Sequence, residues 1–207
     1  MKNPWINIKH TDYENHMTEV GQAQVLNGLT KRCLSQYRPV NFALLGCATG
    51  NGLEHVDANF TSTVYAIDIN QDYLTTTKER FGKQISKLEL INSDIQHDDL
   101  TIQNVDLFFI GLVLEYVSPQ KVLNKIIKAI RERGVLFIVI QKSKRTSFVS
   151  KTKYKSLEAL AGISNEVNED EIDHFIRLNN MELINKQRIE LTENKAFISL
   201  EYRKCRD

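Results

Sequence analysis

Three closely spaced glycines are the first feature of this chain that could do chemistry. They follow an apolar run at residues 40–45 and precede residues 53–56, where we expect a helix to begin: Gly46, Gly50 and Gly52. Glycine adopts positive φ readily and lets the backbone approach a ligand that a Cβ would keep away. A strand, a glycine-rich turn and a helix hold nucleotide-like ligands at the carboxyl edge of a parallel sheet, where the helix N-terminus favours anionic atoms. The pattern therefore predicts a ligand-binding loop.

One acidic residue lies where such a ligand would need it. Asp68 is near the end of the apolar run at residues 63–69 and roughly 20 residues beyond Gly46, the separation at which an acid binds ribose hydroxyls in nucleotide-binding folds. A carboxylate only accepts hydrogen bonds, so it suits a pair of hydroxyl donors. Capping of the following helix is an alternative role for Asp68, but Asn70 is better placed for that role. We interpret Asp68 as a ribose-binding residue.

The elements that would position these residues alternate along the chain. Apolar runs separated by helical patterns predict buried strands at residues 40–45, 63–69, 87–92, 105–111 and 135–140. Alternating apolar and polar residues then predict an antiparallel hairpin over 181–191 and 195–203. Because strand and helix alternate, we predict a doubly wound, Rossmann-like α/β fold. Its seven-stranded sheet would be mostly parallel and end in the antiparallel hairpin.

Taken together, these features resemble the class I S-adenosylmethionine-dependent methyltransferases. The resemblance spans residues 38–203 and includes the terminal hairpin, which a nicotinamide-binding Rossmann domain would replace with further parallel units. The first motif of the family is an acidic residue followed, after two positions, by G-x-G-x-G. This chain departs from that motif twice, with Leu44 in place of the acid and Ala48 in place of the central glycine. Alanine is the smallest substitution, so the turn should survive.

The resemblance implies that the cofactor is S-adenosylmethionine and the product S-adenosylhomocysteine. The backbone of residues 46–52 would contact the methionine portion and the ribose, with Cys47 as a small packed residue rather than a nucleophile. The implied cofactor-binding residues are Gly46, Cys47, Ala48, Gly50, Gly52, Asp68, Ile69, Tyr73, Asp94, Ile95, Gly111 and Leu112.

The resemblance also divides these residues between the two ends of the cofactor. Ile69 and Tyr73 would flank the adenine, while Asp94 and Ile95 would address its edge. A loop aspartate in water is the competing interpretation of Asp94. Residues 111–112 follow the fourth predicted strand and would line the floor near the sulfonium.

The N-terminal residues 1–37 are predicted to form a helical lid on a methyltransferase domain at residues 38–207. Thr11 and Glu14 have the spacing of a capping box, which would start the first helix of this lid. A lid over the ligand would exclude water from the reacting groups. Packing against the domain is the alternative function of these helices.

Candidate groups on the acceptor side are Tyr13, His16 and Glu115. Methyl transfer to oxygen or nitrogen can require a base within hydrogen-bond reach of the acceptor. For His16 the simpler interpretation is packing, and for Glu115 it is an exposed glutamate at a strand end. The catalytic residues therefore stay open at this stage.

Three functions are compatible with the sequence. A small-molecule methyltransferase is the first, and a cofactor-binding regulatory or scaffold protein without activity is the second, because Leu44 and Ala48 depart from the motif. An RNA or protein methyltransferase is the third, motivated by the basic segment at residues 142–155. A solvated loop is the simpler interpretation of that segment, and attraction of an acidic substrate is the alternative. Gly111-Leu-Val-Leu lacks the Asn-Pro-Pro-Tyr-like tetrapeptide associated with methylation of bases and glutamines.

Composition narrows these functions further. The 207 residues include 27 Lys and Arg against 26 Asp and Glu, a net charge of +1 that gives no general attraction for nucleic acid. No apolar run approaches the roughly 20 residues of a membrane span, and the N-terminus lacks the apolar core of a signal peptide. The 3 cysteines fit neither a disulfide framework nor a metal site. We expect a cytoplasmic protein that acts on a small-molecule acceptor without a metal; the oligomeric state stays open.

Overall fold

The computed structural model describes residues 3–144 and 147–206, which fold around a seven-stranded sheet. The strands are β1 (Asn41–Leu45), β2 (Thr63–Asp68), β3 (Leu88–Asn92), β4 (Val105–Gly111), β5 (Ile130–Ser143), β6 (Met181–Thr192) and β7 (Lys195–Lys204). Their order across the sheet is β3-β2-β1-β4-β5-β7-β6. Neighbours among β1 to β5 are parallel, whereas β7 runs antiparallel to β5 and β6. This arrangement confirms the predicted mostly parallel sheet with an antiparallel C-terminal hairpin.

Helices cover both faces of this sheet. The α-helices among the described residues are α1 (His10–Glu19), α2 (Gln22–Tyr37), α3 (Gln71–Phe81), α4 (Pro119–Ala129) and α5 (Glu169–Leu178). Short 3-10 helices lie at Pro4–Asn7, Leu53–His55, Leu114–Tyr116 and Lys155–Gly162. Apolar side chains of α4 and α5 form the core on one face, and those of α1, α2 and α3 form the core on the other.

Strand β4 shows why its sequence is almost wholly apolar. Phe108 and Ile110 belong to the core beneath α4 and α5, whereas Leu107 and Phe109 belong to the opposite core. Successive side chains of a strand point to opposite faces, so a central strand with helices on both sides needs apolar residues throughout. Phe109 also stacks on Phe137 of β5, with ring centroids 5.0 Å apart.

The order of the strands creates a crevice beside β1. The chain proceeds from β1 outward to β3 and then crosses to β4 on the other side of β1. The loops that leave β1 and β4 therefore diverge, which opens the ligand-binding position of doubly wound sheets at their carboxyl ends.

Two local predictions near this crevice are wrong. The glycine loop is followed only by the 3-10 helix Leu53–His55, so no α-helix N-terminus is available for anionic ligand atoms. The 3-10 helix ends at His55, and a turn follows in which the backbone N–H of Asn59 donates to the Asp57 side chain. Helix α1 begins at His10 without a side-chain cap, and Glu14 instead hydrogen bonds to Thr49 and Arg80.

Within residues 3–144 and 147–206, no helix is long and apolar enough to cross a membrane. In the same ranges, no three or more His, Cys, Asp or Glu side chains are grouped so that they could hold a metal ion.

Candidate functional site

A cavity opens at the carboxyl ends of β1, β2, β3 and β4, at the crevice that the strand order creates. Its wall includes most of the predicted cofactor-binding residues: Gly46, Ala48, Asp68, Ile69, Tyr73, Asp94, Ile95, Gly111 and Leu112. Tyr13 also lines this cavity, which we call the first cavity. Residues that are far apart in sequence are brought together here because parallel strands present their carboxyl ends at one edge.

The start of the glycine loop is shaped for close backbone approach. Gly46 has φ of +65°, and a Cβ there would lie 2.4 Å from Cγ2 of Val113. The backbone N–H groups of Gly46 and Cys47 donate to the carbonyl of Ile67, which ties the loop to β2. Ala48 also has positive φ, so the turn survives the alanine substitution with a strained residue, as the sequence predicts. A residue larger than glycine at position 46 would collide with Val113 on the wall of the first cavity.

Three residues of the predicted loop lie outside the wall of the first cavity. Cys47 is buried, and burial raises the pKa of its thiol well above the usual value, as expected of a packed cysteine. A Cβ on Gly50 would meet Phe81, and a Cβ on Gly52 would lie 2.6 Å from Cβ of Thr30. These two glycines therefore permit close packing of the loop against α3 and α2. Contact of these three residues with a cofactor stays a prediction.

Asp68 is the charged centre of the first cavity. It ends β2 and is only 8% exposed. Oδ2 accepts the backbone N–H of Ala48 and Oδ1 that of Asn70, both at 2.9 Å. Burial raises the pKa of Asp68 to about 6, while these N–H groups act in the opposite direction. The side chain is therefore a buried carboxylate at neutral pH, and each oxygen has a further lone pair for a hydroxyl donor.

Tyr73 has a hydroxyl group without a partner. This residue lies in the first turn of α3 and on the cavity wall, and its ring is 5.7 Å from that of Tyr13. The Oη atom is buried and hydrogen bonds to no other atom of the described residues. A buried polar group without a partner costs free energy, so its presence at a cavity points to a ligand or water that completes it.

Asp94 lies at the far end of the first cavity. Its Oδ1 accepts the backbone N–H of Gln96, and its own N–H donates to Asp98. The exposed Asp98 therefore orders this turn, because it also accepts a hydrogen bond from the Ser93 hydroxyl. Asp94 is half-buried and lines the cavity beside the buried Ile95. Contact of Asp94 and Ile95 with an adenine edge stays a prediction.

The N-terminal segment closes the first cavity. Asn3, Trp5 and Tyr13 contribute to its wall. The Asn70 side chain accepts two backbone N–H groups at the start of α3 and donates to the carbonyls of Trp5 and Ile8. The segment before α2 thus covers the site, while α2 packs in the sheet's helical layer. The division of the chain at residue 37 stays a prediction.

Glu115 lies outside the wall of the first cavity. The sequence suggested a base near the acceptor, or an exposed glutamate, but the residue is 0% exposed and absent from the cavity wall. Oε1 accepts the backbone N–H of Gln141 at 2.7 Å, whereas Oε2 is buried without a partner among the described residues. Burial raises the pKa of Glu115 to about 7. The structure therefore assigns it to the junction between β4 and β5 and not to catalysis.

A second cavity adjoins the first and contains His16. The two share Trp5, Tyr13, Leu112 and Tyr116, so these residues form the partition between them. Burial raises the pKa of the Tyr13 hydroxyl, which keeps it protonated. His16 is 4% exposed and lines the second cavity but not the first. Tyr13 therefore lines both cavities, whereas His16 lines the second cavity and is separated from the first.

Several wall residues of the first cavity were not predicted. They end the first strand or lie in the loops after the third and fourth strands: Leu45, Ser93, Val113, Tyr116 and Val117. Their position at the carboxyl ends of parallel strands is a signal that the sequence contains, because those ends meet at one edge of the sheet. Trp5 also lines this wall, where the N-terminal segment folds back over the strand ends.

Residues 44–138 of the chain match a family model described as "Methyltransferase domain". No curated protein matches the chain. The match bears out the predicted class of enzyme and its S-adenosylmethionine cofactor, whereas the predicted domain bounds, residues 38–207, stay a prediction.

Solved structures with the same fold are numerous and distant in sequence. The N-methyltransferase NodS from Bradyrhizobium japonicum WM9 is 14% identical with a TM-score of 0.66, and the match covers 88% of this chain and 96% of NodS. Geranyl diphosphate C-methyltransferase from Streptomyces coelicolor A3(2) is 10% identical with a TM-score of 0.68, covering 87% and 77%. The [4+2]-cyclase SpnF is 12% identical with a TM-score of 0.67, covering 88% and 81%. These likenesses show the class I fold, and SpnF shows that the fold alone does not fix the reaction.

Proposed function

Because the chain carries a methyltransferase domain of the class I fold, we propose that it transfers the methyl group of S-adenosylmethionine to a small molecule. The observation that carries the proposal is the first cavity, whose wall includes both the buried carboxylate residue Asp68 and Tyr73, whose hydroxyl has no partner among the described residues. The geranyl diphosphate methyltransferases among the similar solved structures support a small acceptor by analogy.

The residues of the first cavity fit this cofactor chemically. Asp68 would accept the ribose hydroxyls, and the backbone at Gly46 would lie against the methionine portion because no Cβ intervenes. Ile69 and Tyr73 would cover the adenine, with Asp94 at its edge. When bound, S-adenosylmethionine supplies a methyl group activated by its sulfonium. The protein then has to orient the acceptor and exclude water, and orientation alone can contribute several kcal/mol to the rate.

Access to the first cavity requires movement of the N-terminal segment. The cavity encloses about 90 Å³, whereas small-molecule sites usually span about 300 Å³ or more. Trp5 and Tyr13 lie on its wall, and their segment is fastened through Asn70 and through a hydrogen bond from Ser156 to Asp12 at 2.7 Å. We infer that residues 3–20 move aside when the cofactor binds and then cover it, as in other enzymes with lids.

The change Tyr73→Phe tests the proposal, because it should move stability and cofactor affinity in opposite directions. Without cofactor, the variant should be as stable as the wild type or up to about 1 kcal/mol more stable, since an unpartnered buried hydroxyl is removed. Its dissociation constant for S-adenosylhomocysteine should rise about fivefold, the value of one neutral hydrogen bond. Calorimetric titration and denaturant unfolding measure the two quantities.

The matched control for this test is Tyr65→Phe. Tyr65 lies on β2 and outside the wall of the first cavity, so the same loss of a hydroxyl should leave cofactor affinity unchanged. If Tyr73→Phe binds S-adenosylhomocysteine as tightly as the wild type, the hydroxyl does not face the cofactor and the assignment of this wall is wrong.

A further inference from the structure

Aromatic rings line much of the second cavity, which encloses about 40 Å³ and would widen with the movement inferred for residues 3–20, because Trp5, Tyr13 and His16 belong to that segment. Aromatic rings form its partition and its outer wall, with Trp5 edge-on to Tyr116 at 5.1 Å and Tyr116 edge-on to Phe148 at 6.2 Å. Aromatic walls bury flat apolar surface well and favour ring partners in stacked or edge-on geometry. The cavity adjoins the first one through Leu112 and Tyr116, beside the floor predicted to face the sulfonium.

Most polar groups of the second cavity are already engaged. The Gln22 side chain donates to Gln141 at 2.5 Å, and Gln141 donates to the carbonyl of Phe148 at 2.8 Å. The Lys195 ammonium donates to that carbonyl at 2.8 Å and to the Ser150 hydroxyl at 2.7 Å. These bonds fix the wall formed by residues 148–150 and leave little capacity for a ligand there.

His16 is the exception. Its Nδ1 lies 2.9 Å from the hydroxyl of Thr152, and Nε2 has no hydrogen bond within the part of the chain that the structure describes. Burial lowers the pKa of His16, and the charge of Lys195 lowers it further, while Glu19 acts in the opposite direction. The imidazole is therefore neutral near pH 7. With the proton on Nδ1 and directed at Thr152, Nε2 carries a free lone pair.

We propose that the second cavity binds a flat, hydroxylated aromatic acceptor and that Nε2 of His16 takes the proton of its hydroxyl group. The inference rests on the proposed function. The O–H bond would break, its proton would go to Nε2, and its electron pair would form the new O–CH3 bond, while the S–CH3 bond of the donor would break and leave its electron pair on sulfur, giving S-adenosylhomocysteine. The imidazolium then returns the proton to water.

The test uses 4-nitrophenol as the probe, with S-adenosylhomocysteine present. Trp5 is the single tryptophan of the chain and lies on the partition, so quenching of its fluorescence reports binding at this site. The visible absorbance of the probe reports its ionised fraction without any turnover. At neutral pH the wild type should increase the ratio of phenolate to phenol in the bound probe. In His16→Gln that ratio should fall about tenfold, equivalent to one pKa unit.

Two controls separate the role of His16 from a general effect on the wall. Nitrobenzene has no hydroxyl group, so the wild type and His16→Gln should bind it equally. His174→Gln makes the same chemical change on the exposed face of α5, and its ratio should match the wild type. An unchanged ratio in His16→Gln, which the Lys195 charge alone would produce, contradicts the proposal. Absence of Trp5 quenching by 4-nitrophenol also contradicts it.

The same samples distinguish failure of this inference from failure of the proposed function. If S-adenosylhomocysteine binds in calorimetry but the bound phenol does not depend on His16, the base assignment fails and the methyltransferase proposal stands. If S-adenosylhomocysteine does not bind, the proposed function itself fails.

Discussion

Replacing Asp68 with asparagine should weaken binding of S-adenosylhomocysteine by roughly 100-fold, the equivalent of about 3 kcal/mol. The carboxylate is buried, and each oxygen already accepts one backbone N–H. The ribose hydroxyls would donate to the remaining lone pairs, and hydrogen bonds to a charged acceptor are worth more than those to a neutral one. Calorimetry gives the dissociation constant. Asp72→Asn, on the exposed first turn of α3, is the control and should bind normally.

The pH dependence of the wild type provides a second measurement, which is useful if the variant folds poorly. Burial raises the pKa of Asp68 to about 6, and the protonated form accepts less well. Cofactor affinity should therefore be full above that pKa and fall about tenfold for each pH unit below it. Affinity that is the same at about pH 5 and about pH 8, together with normal binding by Asp68→Asn, would remove the ribose assignment.

The second large effect concerns Glu115 and the stability of the fold. Burial raises its pKa from 4.5 to about 7, so the folded state holds this proton more tightly than the unfolded state does. Because the folded pKa is the higher one, the extra stability is present below about pH 4.5 and is lost as the pH rises to about 7. The buried ionised form then lacks a partner for Oε2.

The variant Glu115→Gln should remove this dependence. Glutamine keeps an oxygen for the backbone N–H of Gln141 and has no charge to bury. Relative to the variant, the wild type should lose roughly 2 to 3 kcal/mol of unfolding free energy between about pH 5 and about pH 8. Other titrating groups, including Asp68 and His16, are common to both proteins and cancel in the difference. A difference that is constant with pH would show that Glu115 is not buried as a neutral acid.

The sheet could be predicted from the sequence because its signals are local. The apolar runs of β1, β2, β4 and β5 are buried on both faces, and the hairpin predicted over 181–191 and 195–203 matches β6 and β7, although β7 is buried on both faces. The α-helix expected after the glycine loop does not form, and the reason is again local. Only Leu53–His55 is helical there, and Asp57 and Asn59 then turn the chain.

The site was predictable where residues follow strands and not where distant segments meet. Asp68 and Gly111 end β2 and β4, so their place at the cavity follows from the topology. The burial of Glu115 depends on Gln141, and the surroundings of His16 depend on Thr152. Such long-range contacts leave no periodic pattern in the sequence. For this reason Glu115 was a candidate base that the structure removes, while the second cavity was not foreseen.

The central claim is that the first cavity holds the methyl donor, and calorimetric titration of the folded, ligand-free protein with S-adenosylmethionine and S-adenosylhomocysteine tests it most directly. We predict one-to-one binding of both compounds with micromolar dissociation constants. We also expect Asp68→Asn to lose most of this binding while Asp72→Asn retains it. No binding of either compound to the folded protein would contradict the account, because the buried carboxylate of Asp68 and the free hydroxyl of Tyr73 would then serve another ligand.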